Sequence, residues 1–330
     1  MARVNPTYAG GIDGDDFEPT TIEELGDMIG KVAKSIIREN TAVQHLSVFD
    51  KGIVDNGDTI EEAVVLLAQS QAYDKDGAHT LDRETSAKFA VKYFKNWTPK
   101  TYKKTIDFSE LRKVLTKEKS AADVSTMVIS STTEGDKQEQ YEDIRDMMKW
   151  GRQVADGGTG AVLVNAETVA FDTTNSSIDY KQVLVAMKNA FSGMKFVNAS
   201  YNSAEIKRRT KEEDIYVLMP YQLKNKLDVE ELAGVFNLDK AEIKERIIET
   251  DSGNESGYYY IYIVDRNAVL DFTRLYEMLN QLNAEGRFWN YYLHTDRLYA
   301  LSGLFDGCYI KVANTAPGAY VKNYGNKTRS

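Results

Sequence analysis

The apolar positions along the chain change period several times, and each change predicts an element. Ile22, Leu25, Ile29, Val32 and Ile36 recur at spacings of three and four. They predict a helix led by the capping-box pair Thr21 and Glu24 and ending near Asn40. From Ile60 the period drops to two: Ile60, Glu62, Val64 and Leu66 alternate with Glu61, Ala63, Val65 and Leu67. Phe89, Val91 and Tyr93 alternate in the same way with Ala90, Lys92 and Phe94. The polar stretch from Ala72 to His79 predicts a turn, and a second extended segment runs on to Ile106. Pro99 has no N–H to give to a ladder, so it forbids a central position for that segment. Residues 53–106 therefore read as a long two-stranded excursion with a polar tip near Asp76 to Arg83. A lone ribbon is marginal in water, so this one is expected to lie on something, and a neighbouring copy is the obvious candidate.

Helical spacing returns after the excursion. Ser109 is placed to cap a short helix carrying Leu111, Val114 and Leu115, and Ser120 another carrying Val124, Met127 and Val128. Asp136 is expected to open the longest helix, residues 136–156, with Tyr141, Ile144, Met147, Met148 and Val154 inward and Gly157 as its stop. Beyond Gly160 the pattern is mixed. It predicts a β stretch over 162–171, a helix capped by Ser177 with Val183, Leu184, Met187 and Phe191 inward, and a strand over 194–201. A short apolar strand over 214–219 leads to Pro220 in the first turn of the next helix. Asp239 and Glu242 open another, and late strands are expected over 258–264 and 287–301. The charged run from Lys207 to Asp214 reads as a solvated face. Residues 1–19 read as an arm and 314–330 as a tail, both without period.

Composition narrows what such a chain can do. With 330 residues, 42% hydrophobic and 28% charged, it is globular and long enough for a real core. A net charge of −9 repels phosphate backbones, so sequence-reading of nucleic acid is not expected. The single Cys308 excludes an internal disulfide, and its apolar strand predicts a buried, inert thiol. No run of apolar residues is long enough to span a membrane, and the N-terminus lacks a signal-type apolar core. His45, His79 and His294 are scattered, and no nucleophile elbow or phosphate-binding glycine loop is present. The turns at Asp74 and Asp251 begin like calcium loops but place Thr85 and Tyr262 where the closing glutamate belongs. No enzyme, cofactor or metal is expected from these residues.

Charge is unevenly spread, and this suggests contacts between copies. Residues 1–74 hold 14 acids and 5 bases, whereas residues 75–119 hold 6 acids and 12 bases. Lys88, Lys92, Lys95, Lys100, Lys103 and Lys104 are the candidate donors and Asp13, Asp15, Asp16, Glu23 and Glu24 the candidate acceptors. Trp97, with Phe89, Tyr93 and Phe94, is expected to supply the apolar part of the same contact.

Several stretches resemble the major capsid proteins of tailed phages with the Hong Kong 97-like fold. Phe49 to Glu62 (FDKGIVDNGDTIEE) looks like the start of that family's E-loop, and Thr105 to Arg112 (TIDFSELR) like its exit into helix. Ile215 to Lys224 (IYVLMPYQLK), followed by Leu232 to Asn237 (LAGVFN), looks like the axial-domain strand turning into helix. The resemblance implies an α+β fold divided into an N-terminal arm and helix (1–45), a two-stranded E-loop (46–106) and a peripheral domain with its spine helix (107–177). An axial domain (178–300) and a returning peripheral strand with the C-terminal tail (301–330) complete it. It implies a structural protein without catalytic residues, assembling with many copies of itself as hexamers and pentamers. The expected product is an icosahedral head that encloses double-stranded DNA without sequence-specific contact, built in the host bacterial cytoplasm and carried in the virion. No coiled-coil segment precedes the arm, which leaves room for a separate scaffolding protein and a portal as partners. A nanocompartment shell of the same fold and another virion structural protein are the alternative readings.

Overall fold

A computed structural model describes residues 46–54, 57, 59–68, 88–107, 121–152, 162–174, 177–227, 246–252 and 255–314. Its strands are β1 (Asp50–Ile53), β2 (Ile60–Val65), β3 (Phe89–Phe94), β4 (Trp97–Asp107), β5 (Val164–Val169), β6 (Phe171–Asp172) and β7 (Ser177–Ile178). They continue with β8 (Ile215–Pro220), β9 (Ile247–Thr250), β10 (Tyr258–Asp265), β11 (Val269–Asn283), β12 (Phe288–Leu301) and β13 (Gly307–Ala313). The helices are α1 (Ala121–Arg152), α2 (Tyr180–Met194) and the single turn α3 (Tyr221–Lys224). The chain divides into two units. Described parts of the first are residues 99–107, 121–139 and 275–296, and the remaining described residues form the second.

The core of the second unit is a five-stranded mixed sheet in the order β5-β13-β10-β8-β9. Its central strands read as nearly unbroken apolar runs because both faces are covered. Successive side chains of a strand point to opposite faces, so one run fills two cores. Ile261 and Ile263 of β10, with Ile215, Val217 and Met219 of β8, pack against Val183, Met187, Phe191 and Met194 of α2. Tyr262 and Val264, with Leu218, meet Tyr141, Ile144 and Met148 of α1 on the other face. Cys308 belongs to the α2 side, fully buried. Burial pushes its thiol far above the ordinary range, with Asp306 adding to the effect, so it is unreactive as expected.

α1 is the largest departure from the sequence reading. It is one helix of 32 residues, about 48 Å long at 1.5 Å per residue, and not a helix that begins at Asp136. Ser130, Thr132 and Thr133 lie inside it: each hydroxyl donates to the carbonyl three residues earlier, at 2.9, 2.7 and 2.7 Å, and the helix continues. Asp136 is buried mid-helix, not a cap. A Cβ at Gly151 would run into Leu163 and Leu301, so glycine lets the helix end lie close against its neighbours.

Smaller corrections concern α2 and the segment after it. Asp179 caps α2, its carboxylate accepting from the Gln182 N–H at 3.1 Å, while Ser177 pairs in a short strand instead. The stretch from Met194 to Tyr201 is no strand: α2 reaches Met194, and a lone bridge joins Asn198 to Arg208. β11 has no counterpart in the sequence reading, because Phe272, Leu275, Tyr276, Leu279 and Leu282 repeat at helical spacing. Sheet pairing overrides that local pattern. The four-stranded sheet runs β1-β11-β12-β4, which puts Pro99 on an edge strand as its missing N–H requires. The arm helix, the excursion tip, the caps at Ser109 and Ser120, the stop at Gly157, the helix from Asp239 and the tail lie outside the described residues.

Candidate intersubunit surface

The two-period segments pair as an antiparallel hairpin, with Ile60 opposite Phe94, Glu62 opposite Lys92 and Val65 opposite Phe89. Alternation gives the hairpin two unlike faces. Ile60, Glu62, Val64, Ala90, Lys92 and Phe94 are buried or half-buried. Phe94 closes a small cluster with Leu270 and Leu298, against which Ile60, Trp97, Phe272 and Ala300 pack. The opposite face carries Glu61, Ala63, Val65, Phe89, Val91 and Tyr93, all exposed. Val65 is 59% exposed, Phe89 62% and Tyr93 59%, so three large apolar side chains stand together in water. A contiguous apolar patch of this kind marks an interaction surface more often than scattered single residues do.

The lysines chosen from sequence separate by surroundings. Lys88, Lys95, Lys103 and Lys104 are exposed. Lys103 holds its ammonium 5.4 Å from the Tyr292 ring centre. Lys92 lies on the half-buried face beside Phe94, 5.2 Å from that ring. Lys100 pairs with Glu139 at 2.8 Å, and Tyr102 donates to the same carboxylate at 3.0 Å. Trp97 is half-buried in its own chain, with the Arg274 guanidinium 4.8 Å from its ring. The acceptors Asp13, Asp15, Asp16, Glu23 and Glu24 lie outside the described residues.

Sequence reasoning missed a polar cluster at the root of the hairpin. Arg208 and Thr210, read as part of a solvated run, are largely buried against the buried carboxylates of Asp265 and Asp306. Thr210 donates to Asp306 at 2.8 Å, and Asn202 donates to the other oxygen at 3.0 Å. Arg208 donates to the Leu304 carbonyl at 2.9 Å and stacks on Phe305 at 3.9 Å. Ser302 in the same loop donates to Glu62 of the hairpin and accepts from the Leu304 N–H at 3.2 Å. Burial raises the carboxyls of Glu62, Asp265 and Asp306 above their ordinary range. The signal in the sequence was an acid interrupting an apolar run, as in IVDRNAVL and LFDGCYI.

Elsewhere the second unit fixes α1 by charge. Asp251 accepts from Tyr141 at 2.7 Å and from Arg145 at 2.9 and 3.0 Å. Burial opposes ionisation there, but these donors hold the Asp251 carboxyl below its usual range. Burial chiefly pushes the Tyr141 hydroxyl up to about 12. Arg152 stacks 3.5 Å over Tyr260 and pairs with Glu255. Among the described residues no three His, Cys, Asp or Glu side chains gather as a metal would need, and no helix is long and apolar enough to cross a membrane.

The β2–β3 hairpin thus offers an exposed apolar face beside a body that holds ion pairs with buried carboxylates, a surface suited to contact with another molecule. Comparison with known proteins agrees. The family model of the Phi29-like phage major capsid protein matches residues 13–311. The major capsid protein of Bacillus phage GA-1 is 24% identical over 284 residues, 85% of this chain and 58% of that protein. The major capsid protein of Streptococcus phage Cp-1 is 19% identical over 300 residues, 87% of this chain and 82% of that one. This chain thus spans little more than half the length of its GA-1 relative. A solved capsid structure of Staphylococcus phage Andhra superposes with a TM-score of 0.70 at 14% identity, covering 87% of this chain and 88% of that one. The α+β architecture is therefore that of Hong Kong 97-like phage capsid proteins. The chain belongs to the family of Phi29-like phage major capsid proteins.

Proposed function

We propose that the chain is the shell-forming subunit of a phage head and works by association rather than catalysis. The single observation that carries this reading is the exposed apolar face of the β2–β3 hairpin, with Val65, Phe89 and Tyr93 side by side in water. Covering that face requires another surface, and a second copy of the chain is the surface always present. In this reading residues 46–106 act as the E-loop, α1 as the spine of the peripheral domain, and the sheet-and-α2 body as the axial domain. Hexamers and pentamers of the chain close an icosahedral shell through cyclic contacts. Interfaces of obligate type would supply the association energy. The shell encloses double-stranded DNA without reading its sequence, consistent with a chain of net charge −9. A separate scaffolding protein and a portal complete the head, assembly takes place in the host bacterial cytoplasm, and the product is a virion component.

Electron microscopy of the purified protein tests this directly. Closed particles tens of nanometres wide are expected. A protein that stays monomeric at high concentration, with or without crowding agents, overturns the reading.

A further inference from the structure

Glu62 is the acid that β2 turns inward, and it is placed on the half-buried face of the hairpin by the two-residue alternation. Its carboxylate accepts from Ser302, whose side chain is buried in the loop that precedes β13. That loop is itself held rigid. Arg208 donates to the Leu304 carbonyl at 2.9 Å, and Asn202 and Thr210 donate to Asp306 at 3.0 and 2.8 Å. Glu62 is thus a polar tie between a ribbon and an anchored loop of the same unit. The apolar part of the docking is the small cluster of Phe94 with Leu270 and Leu298. A tie made by a carboxylate at a half-buried contact is sensitive to its proton, because burial penalises only the charged form.

We propose that Glu62 is a proton-operated latch: with its carboxyl protonated the hairpin is held on its own body, and with it ionised the hairpin is loosened. Both states keep a partner at Ser302. The ionised carboxylate accepts from the hydroxyl, and the protonated one donates to it while Ser302 still accepts from Leu304. The charged groups around it divide. Lys92 across the hairpin and Arg208 favour the ionised form, while Asp265 favours the protonated one. Lys51 also lies within electrostatic reach. Burial is the largest influence and leaves the carboxyl raised.

The sign follows from linkage. A carboxyl raised in the docked state binds its proton more tightly there than when solvated. Docking is therefore favoured below the ordinary carboxylate range and weakened as pH rises through the docked value. Asp265 and Asp306, also raised, shift the anchoring loop in the same direction, with Arg208 opposing and Asp214 reinforcing the shift at Asp265. Each unit of difference between docked and free pKa alters the docking equilibrium about tenfold. If the chain builds a shell, a hairpin loosened at neutral pH is the one available to a neighbour, and that step rests on the shell-forming function proposed for the chain.

Hydrogen exchange of the full-length, unassembled protein tests the latch. Exchange over Ile60–Val65 and Phe89–Trp97 is corrected for the intrinsic pH dependence of amide exchange and compared with β10 and β13 as internal references. A released two-stranded ribbon is marginal in water, so its ladder amides report docking. Protection of the wild-type hairpin is expected to fall severalfold between pH 5 and pH 8. Glu62→Gln, neutral at every pH, is expected to keep the acid-side protection throughout, and Ser302→Ala to lose it at both. A wild-type hairpin whose protection does not change with pH overturns the proposal. So does a Glu62→Gln protein with the wild-type slope or with less protection at both pH values. Electron microscopy of the same proteins is read separately. Absence of particles from every sample counts against the shell, whereas the exchange slopes decide the latch.

Discussion

The five-stranded sheet and the β2–β3 hairpin use the same strand chemistry to opposite ends. In the sheet, Ile261 and Ile263 turn to α2 while Tyr262 and Val264 turn to α1, and all four are buried. In the hairpin, Phe94 finds a core while Phe89 and Tyr93, on the other face, find none. Alternation therefore means half-burial in the hairpin, and its absence means double burial in the sheet. The contrast separates two kinds of position. A side chain deep in the sheet serves the fold of one copy, whereas one on the outer face of the hairpin adds little to that fold and is, in the proposed shell, the side that meets a neighbour.

Removing a core side chain of the sheet unit should show the largest effect on a single copy. Met187→Ala, at a fully buried position against β8 and β10, is expected to cost about 2–5 kcal/mol in denaturant unfolding. A loss under about 1 kcal/mol would mean that α2 packs loosely and that the sheet differs less from the hairpin than its burial implies. The reverse experiment is Phe89→Ser with Tyr93→Ser. Subunit stability should change by no more than about 0.5 kcal/mol. Assembly should suffer, since each aromatic covered in the shell contributes roughly 2–3 kcal/mol, and the concentration needed to form particles is expected to rise at least about 100-fold. Normal assembly of this double variant would remove the hairpin face from the interface.

Trp97 sharpens the boundary between the two regions. Sequence placed it in an intersubunit contact, but its ring packs beside Phe94, Leu270 and Leu298 with Arg274 over it. Trp97→Ala should therefore lower subunit stability by about 2 kcal/mol before it affects association. Equal stability with failed assembly would place Trp97 in the contact between copies instead. Reversing the exposed Lys88, Lys95, Lys103 and Lys104 together to Glu should have the smallest effect. An exposed pair contributes only about 0.2–1 kcal/mol, so the loss of assembly, followed by light scattering, should appear at low salt and fade near physiological salt. Unchanged assembly at low salt would leave the charge contrast as a solvated surface.

Much of the fold is visible in single residues of the sequence. The period of two from Ile60 and from Phe89 gave the hairpin and its alternation. Pro99 gave the edge position of β4, and the apolar run around Cys308 a buried strand. Where the reading failed, a local signal competed with a distant partner. Asp136 has the residue type of a helix start, yet the chain is already helical from Ala121 and Asp136 is buried in mid-helix. Leu275, Leu279 and Leu282 kept helical spacing in a segment that β12 draws into a sheet. The surroundings of the candidate interface residues differ for the same reason, because exposure of Lys88 or half-burial of Trp97 depends on what the rest of the chain brings near.

By itself, then, the sequence determined periodicity, the charge contrast between residues 1–74 and 75–119, and the family to which its motifs point. These are properties of neighbouring residues, and steric and solvation preferences act on them over a few positions. Only the tertiary structure decided which charges are buried. Arg208, Asp265 and Asp306 lie 57 and 41 residues apart along the chain, and Glu62 a further 146 residues before Arg208, yet they share one loop environment. A carboxylate's proton affinity depends on the water removed and the charges set beside it, and both come from segments that the local sequence does not contain.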